Sequence, residues 1–130
     1  MTRSTRRDLL AVGAGAIRLA SGVSFLVNPE AANRLWADER TQDPTAALLL
    51  RSMGYRDALV GGMLLRAGLQ GSDTVPGWFL ASAGADLADL VGGIANHDRL
   101  SDRSRTVGLY GAAAGVGIGA LGAWRASRRA

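Results

Sequence analysis

The chain has 130 residues, room for one domain, and its 48% hydrophobic content is carried mainly by small aliphatic side chains. It contains no cysteine, which excludes disulfides, thiolate chemistry and cysteine metal sites, and its single histidine, His97, leaves no cluster for a metal or a catalytic triad. The net charge is +4, but the basic residues, all arginine, are spread over the ends, the loops and the apolar stretches without a stripe or interleaved aromatics, so no nucleic-acid partner is expected.

Four apolar segments follow one another. The first, Leu9 to Val27, holds one charge, Arg18, and stops at Asn28-Pro29, a pair that ends helices. Before it, Thr5-Arg6-Arg7-Asp8-Leu9-Leu10 resembles a twin-arginine export signal. Arg18 breaks the apolar region that such a leader needs, so the arginines are read as a positive-inside anchor and the helix as retained. The second segment covers about 45–67, opened by Pro44 and closed by Gly68. The third covers about 76–96 with Pro76 in its first turn, and the fourth covers about 107–124 without a charge.

Each segment is long enough to cross a hydrocarbon core about 30 Å thick at about 1.5 Å per residue. The connections are too short for a further domain. The expected fold is therefore all-α, an up-down-up-down bundle of four transmembrane helices forming one membrane domain over residues 1–130. A soluble bundle would need polar outer faces, and in the fourth segment only Tyr110 offers one. Trp36, Trp78 and Trp124 fall at segment ends or connections, where an indole sits between lipid and water. Gly111, Gly115, Gly119 and Ala123 recur every fourth residue, a row that lets helix backbones approach closely in lipid. With both ends inside, Arg3, Arg6, Arg7, Arg66, Arg125, Arg128 and Arg129 outnumber Arg34, Arg40, Arg99, Arg103 and Arg105 on the other side, which predicts cytoplasmic termini in a plasma-membrane protein.

The most specific feature is a set of charges inside these segments: Arg18, Arg51, Arg56, Asp57, Asp86 and Asp89. An unpaired charge at mid-bilayer costs about 2.5–3.5 kcal/mol. Three positive and three negative residues can neutralise one another. Depth along antiparallel helices matches Arg51 with Asp89, and Arg18 or Arg56 with Asp86. Asp86 and Asp89 share a helix face; Gly15 and Gly22 flank Arg18 on one stripe, and Gly54 and Gly61 flank Asp57 on another. A structural network that fixes helix register is expected ahead of an ion path or polar substrate pocket. An acid–base or metal dyad at Asp86 and Asp89 is disfavoured because neighbouring arginines compete for the carboxylates. Tyr55 is read as a helix-packing aromatic and His97 as an exposed loop residue.

The stretches RLASGVSFLVNPEAANRLW, LRSMGYRDALVGGMLL and WFLASAGADLADLVGG resemble a family of small uncharacterised four-span membrane proteins of actinobacteria, catalogued as a domain of unknown function. Its pattern is an Arg-xxx-Gly helix ending in Pro (Arg18, Gly22, Pro29), an Arg-xx-Gly-x-Arg-Asp helix (Arg51, Gly54, Arg56, Asp57) and an Asp-xx-Asp helix (Asp86, Asp89). The fourth segment matches only in being apolar. The resemblance implies a membrane location and adds no activity.

The expectation is a non-enzymatic integral membrane protein without a cofactor, an accessory or oligomeric component whose partners are the bilayer and further copies or a larger membrane complex. The alternative is a small oligomeric transporter or channel using the intramembrane carboxylates. It matches small multidrug exporters in size, but where they carry a helix-1 carboxylate this chain has Arg18.

Overall fold

The computed structural model describes residues 6–29, 31–32, 44–95 and 105–128, and among them the chain is helical with short turns. Helix α1 spans Leu9–Val27, α2 Pro44–Gln70, α3 Val75–Ala95 and α4 Tyr110–Arg128, the last entered through a π turn, Arg105–Leu109. The fold is an all-α four-helix bundle. Trp36, Asn96 and His97 lie outside the described residues.

Local chemistry sets the helix ends. Asp8 caps α1 by accepting from the Ala11 N–H at 3.2 Å. Asn28 closes α1 with its N–H on the Ser24 carbonyl at 3.0 Å, and its side chain then caps the next turn by accepting from Ala31 at 3.1 Å. Helix α2 runs past Gly68, the expected stop. It ends at Gly71, the positive-φ glycine (58°), where Ser72 N–H donates to the Ala67 carbonyl at 2.9 Å and Gly71 N–H to the Gly68 carbonyl at 3.3 Å. So tight a reversal places α3 antiparallel beside α2.

Gly68 has a different task. Asp8 N–H donates to its carbonyl at 2.9 Å, and a Cβ there would meet Val12 N at 2.9 Å. Seven residues back, Gly61 faces Gly15; seven further, Gly54 faces Gly22. A Cβ on Gly15 would stand 2.7 Å from the Gly61 carbonyl, one on Gly61 2.8 Å from the Gly15 carbonyl, and one on Gly54 2.7 Å from the Gly22 carbonyl. Backbone therefore rests on backbone along the whole α1–α2 seam, and the seven-residue step is the period of a shallow left-handed crossing.

The second antiparallel pair, α3 with α4, uses the same device. Gly119 fits over the Phe79 carbonyl, 2.9 Å from where its Cβ would be, and Gly122 lies directly against the Phe79 ring. Gly111, the first of the expected row, meets nothing within 4 Å. Phe79 and Leu64 anchor a compact core with Ala11, Ala67, Val75 and Ala123 at the α2–α3 turn, and Trp78 packs against it. Outside, large apolar side chains from Val23 (43%) to Leu9 and Tyr110 (76%) are exposed. Tyr55 is among them and so does not pack between helices.

Helix α1 and the stretch Thr106–Arg128 are long and apolar enough to cross a membrane. The other two helices are interrupted by more charges: Arg51, Arg56, Asp57 and Arg66 on α2, Asp86 and Asp89 on α3.

Candidate functional site

Halfway along the bundle the interior turns from apolar to ionic. Arg18 Nη1 on α1 donates to Asp57 Oδ1 on α2 at 2.8 Å, while its Nη2 pairs with Asp86 Oδ2 on α3 and reaches the Ser82 carbonyl at 3.5 Å. The same Asp57 oxygen accepts from Arg56 Nε at 3.3 Å and Nη2 at 3.2 Å. Arg56 then holds Asp89 with both terminal nitrogens, Nη1 to Oδ1 at 3.2 Å and Nη2 to Oδ2 at 2.9 Å, the two-pronged geometry that suits a carboxylate. The result is one chain of alternating charge, Asp86, Arg18, Asp57, Arg56, Asp89, which begins and ends on α3 one turn apart. Its inner members are well shielded, with side-chain exposures of 12% for Arg18, 16% for Asp57 and 15% for Asp86; Arg56 and Asp89, at 35% and 41%, form its outer end.

The small-residue seams position this chain. Arg18 sits between Gly15 and Gly22, and Asp57 between Gly54 and Gly61; because those glycines interlock, guanidinium and carboxylate meet across the closest approach of α1 and α2. On α4 a Cβ at Gly115 would collide with the Asp86 carboxylate, so Gly115 is the space that carboxylate occupies.

Of the pairings expected from depth, Arg18 with Asp86 is present. Arg51 with Asp89 is not: Asp89 pairs with Arg56, and Arg51 is exposed without an ion pair among the described residues. Depth is only one coordinate. Arg51 lies one turn before Gly54 on the side of α2 turned to α1, whereas Arg56, five residues on, is about 140° round the helix and faces α3. With Arg51 left out, the connected chain holds three carboxylates against two guanidiniums, not the balanced set of six.

A cavity of about 670 Å³ lies against this chain, lined by residues of all four helices and the π turn. It fills the gap between α1 and α4, which are not a packed pair: α1 is packed on α2, and α4 on α3. Its charged wall is Arg18, Asp57, Asp86 and Asp89; Ile17, Phe25, Leu50, Met53 and Ile118 supply apolar wall. Ser82 also lines it and went unnoticed in the sequence, although it stands one turn before Asp86 on the same face of α3. Among the described residues no group of His, Cys, Asp and Glu is arranged to hold a metal ion.

Fold and site together define a four-helix bundle with a shielded ionic chain at mid-length and many large apolar side chains on its outer surface. The family described as a domain of unknown function (DUF4267) matches residues 15–125, a stretch that contains the whole ionic chain, and the protein belongs to it. No curated protein and no solved structure matches the chain.

Proposed function

We propose that the protein is an integral membrane protein that crosses the bilayer with all four helices, both termini cytoplasmic, and serves as a non-catalytic accessory or oligomeric component of the plasma membrane. One observation carries the reading: the polarity of the bundle is inverted. Shielded side chains include Arg18, Asp57 and Asp86, while Leu9, Ile17, Val27, Leu48 and Leu49 are more than half exposed. In water that arrangement exposes a broad apolar surface, which monomeric soluble proteins rarely do. In lipid it is favourable, since intramembrane charges face the bundle interior and pair there. Helices α2 and α3 fall short of membrane hydropathy as isolated segments, but their charges, Arg51 and Arg66 apart, are spent on one another and on Arg18. Arg66 lies near the end of α2 and Arg51 in its second turn, within reach of the headgroups for a long side chain.

The test is extraction of membranes with alkaline carbonate. The protein should stay in the pellet; recovery of folded helical protein in the supernatant would end the membrane reading. A second reading, a small oligomeric carrier, is favoured by the cavity, whose wall includes the carboxylates. Asp86→Asn separates the two in liposomes: a carrier that depends on this carboxylate stays folded but loses flux, whereas a scaffold shows altered stability and no flux in either form.

A further inference from the structure

We propose that the cavity beside the ionic chain is a binding site for a single-chain amphiphile with an ammonium headgroup. The inference rests on the membrane reading, which supplies the apolar surround, and is neutral between accessory component and carrier.

Charge is the first argument. Arg18, Asp57, Asp86 and Asp89 line the cavity, whereas Arg56 stands behind them, so the wall itself holds three carboxylates and one guanidinium. The entire chain is one positive charge short. A surplus negative charge in a low-dielectric interior is expensive unless a cation or a proton joins it.

Unused hydrogen-bonding capacity is the second, independent argument. Ser82 is 8% exposed and lines the cavity, yet its hydroxyl makes no hydrogen bond to a described residue. Asp57 Oδ2 likewise accepts none from the described residues, because every hydrogen bond to this carboxylate runs to its Oδ1. Buried polar atoms are seldom left in that condition. A primary ammonium brings three N–H donors and one positive charge, which is what the wall lacks. A metal ion fits less well, since no metal-holding group is present among the described residues.

Shape and depth select the remainder of the ligand. The volume falls within the range of about 300–1,000 Å³ usual for small-molecule sites, and the apolar wall of Ile17, Phe25, Leu50, Met53 and Ile118 takes a hydrocarbon chain. Arg18 stands at the middle of α1, so the charged wall lies about 15 Å from either edge of the hydrocarbon. A slim amine reaches that depth; a two-chain phospholipid, whose phosphate is held at the interface, does not.

The experiment uses the full chain in nanodiscs of palmitoyl-oleoyl phosphatidylcholine at neutral pH. Calorimetry compares dodecylamine, dodecanol and dodecanoate, with empty discs subtracted. Dodecylamine should bind at least about tenfold more tightly than dodecanol, with dodecanoate weakest. Equal affinities, or a preference for dodecanoate, would overturn the proposal without any variant. Asp89→Asn brings the chain to two charges of each sign and should cost the amine about tenfold, while Asp89→Glu should retain it. An Asn variant with the full preference would be equally fatal. Replacing part of the lipid by phosphatidylethanolamine should leave amine binding unchanged; competition would overturn the single-chain assignment. Carbonate resistance of the same protein reports the membrane reading separately, so either conclusion can fail without the other.

Discussion

Arg18 serves two carboxylates and Asp86 pairs with one guanidinium, so truncating them has unequal consequences. Asp86→Ala leaves Arg18 with Asp57, whereas Arg18→Ala leaves Asp86 with no cationic partner among the described residues. Losing one member of a buried pair costs about 3–5 kcal/mol. Arg18→Ala should fall at the upper end of that range and Asp86→Ala at the lower. Adding Asp86→Ala to Arg18→Ala should recover part of the loss, because the stranded carboxylate is gone. Asp86→Asn should be intermediate, since its amide oxygen still accepts a hydrogen bond. Reversible unfolding in detergent micelles measures all four; strictly additive losses in the double variant would contradict the pairing. Arg51→Ala, at an exposed position outside the chain, should change stability by no more than about 0.5 kcal/mol.

Among helices, the α1–α2 seam has the least tolerance. Gly61→Ala would press a methyl onto the Leu19 amide and the Gly15 carbonyl, both backbone atoms that cannot swing aside. A loss of about 1–3 kcal/mol is expected, the usual range for overpacking. Gly13→Ala, on the same helix as Gly15 but with nothing within 4 Å, should instead gain about 0.5–1 kcal/mol by removing backbone freedom. Melting both variants side by side tests whether glycine acts here through close approach. The stripes that carry this seam were legible in the sequence, because Gly15, Arg18 and Gly22 recur at three and four residues, as do Gly54, Asp57 and Gly61. So was the end of α1, where Asn28-Pro29 is an unambiguous signal, whereas the cap that Asp8 supplies at its start was not read from the sequence. Gly68 and Gly71 were not separable, since a close-contact glycine and a left-handed cap look alike without the partner helix. For the same reason Arg51 and Arg56 could be ranked by depth but not by direction. The cavity left no trace in the pattern, because it depends on α1 and α4 standing apart.

For the whole molecule, the four-span reading makes a geometric commitment. A cysteine placed at Ser72, in the α2–α3 turn, should react with an impermeant maleimide only after cells are permeabilised. Cysteines at Gln42 and Ser101 should react in intact cells. The opposite pattern would invert the orientation and leave the span count intact; labelling of all three from one side would defeat it.

On the proposed four-span reading, the ionic chain also dictates an order of events at the ribosome. Arg18 leaves the tunnel first, and Asp57 follows 39 residues later, with Asp86 and Asp89 later still on α3. An arginine alone in lipid carries a penalty of about 2.5–3.5 kcal/mol, so α1 gains little by moving out of the insertion machinery before its partners arrive. The expected outcome is that the helices enter lipid as a group, released when α3 closes the chain of charge. Nascent chains arrested before Asp57 should accordingly remain crosslinked to the insertion machinery, and chains arrested well beyond Asp89 should not. Release of the shorter chains would mean that Arg18 finds shelter before its carboxylates exist.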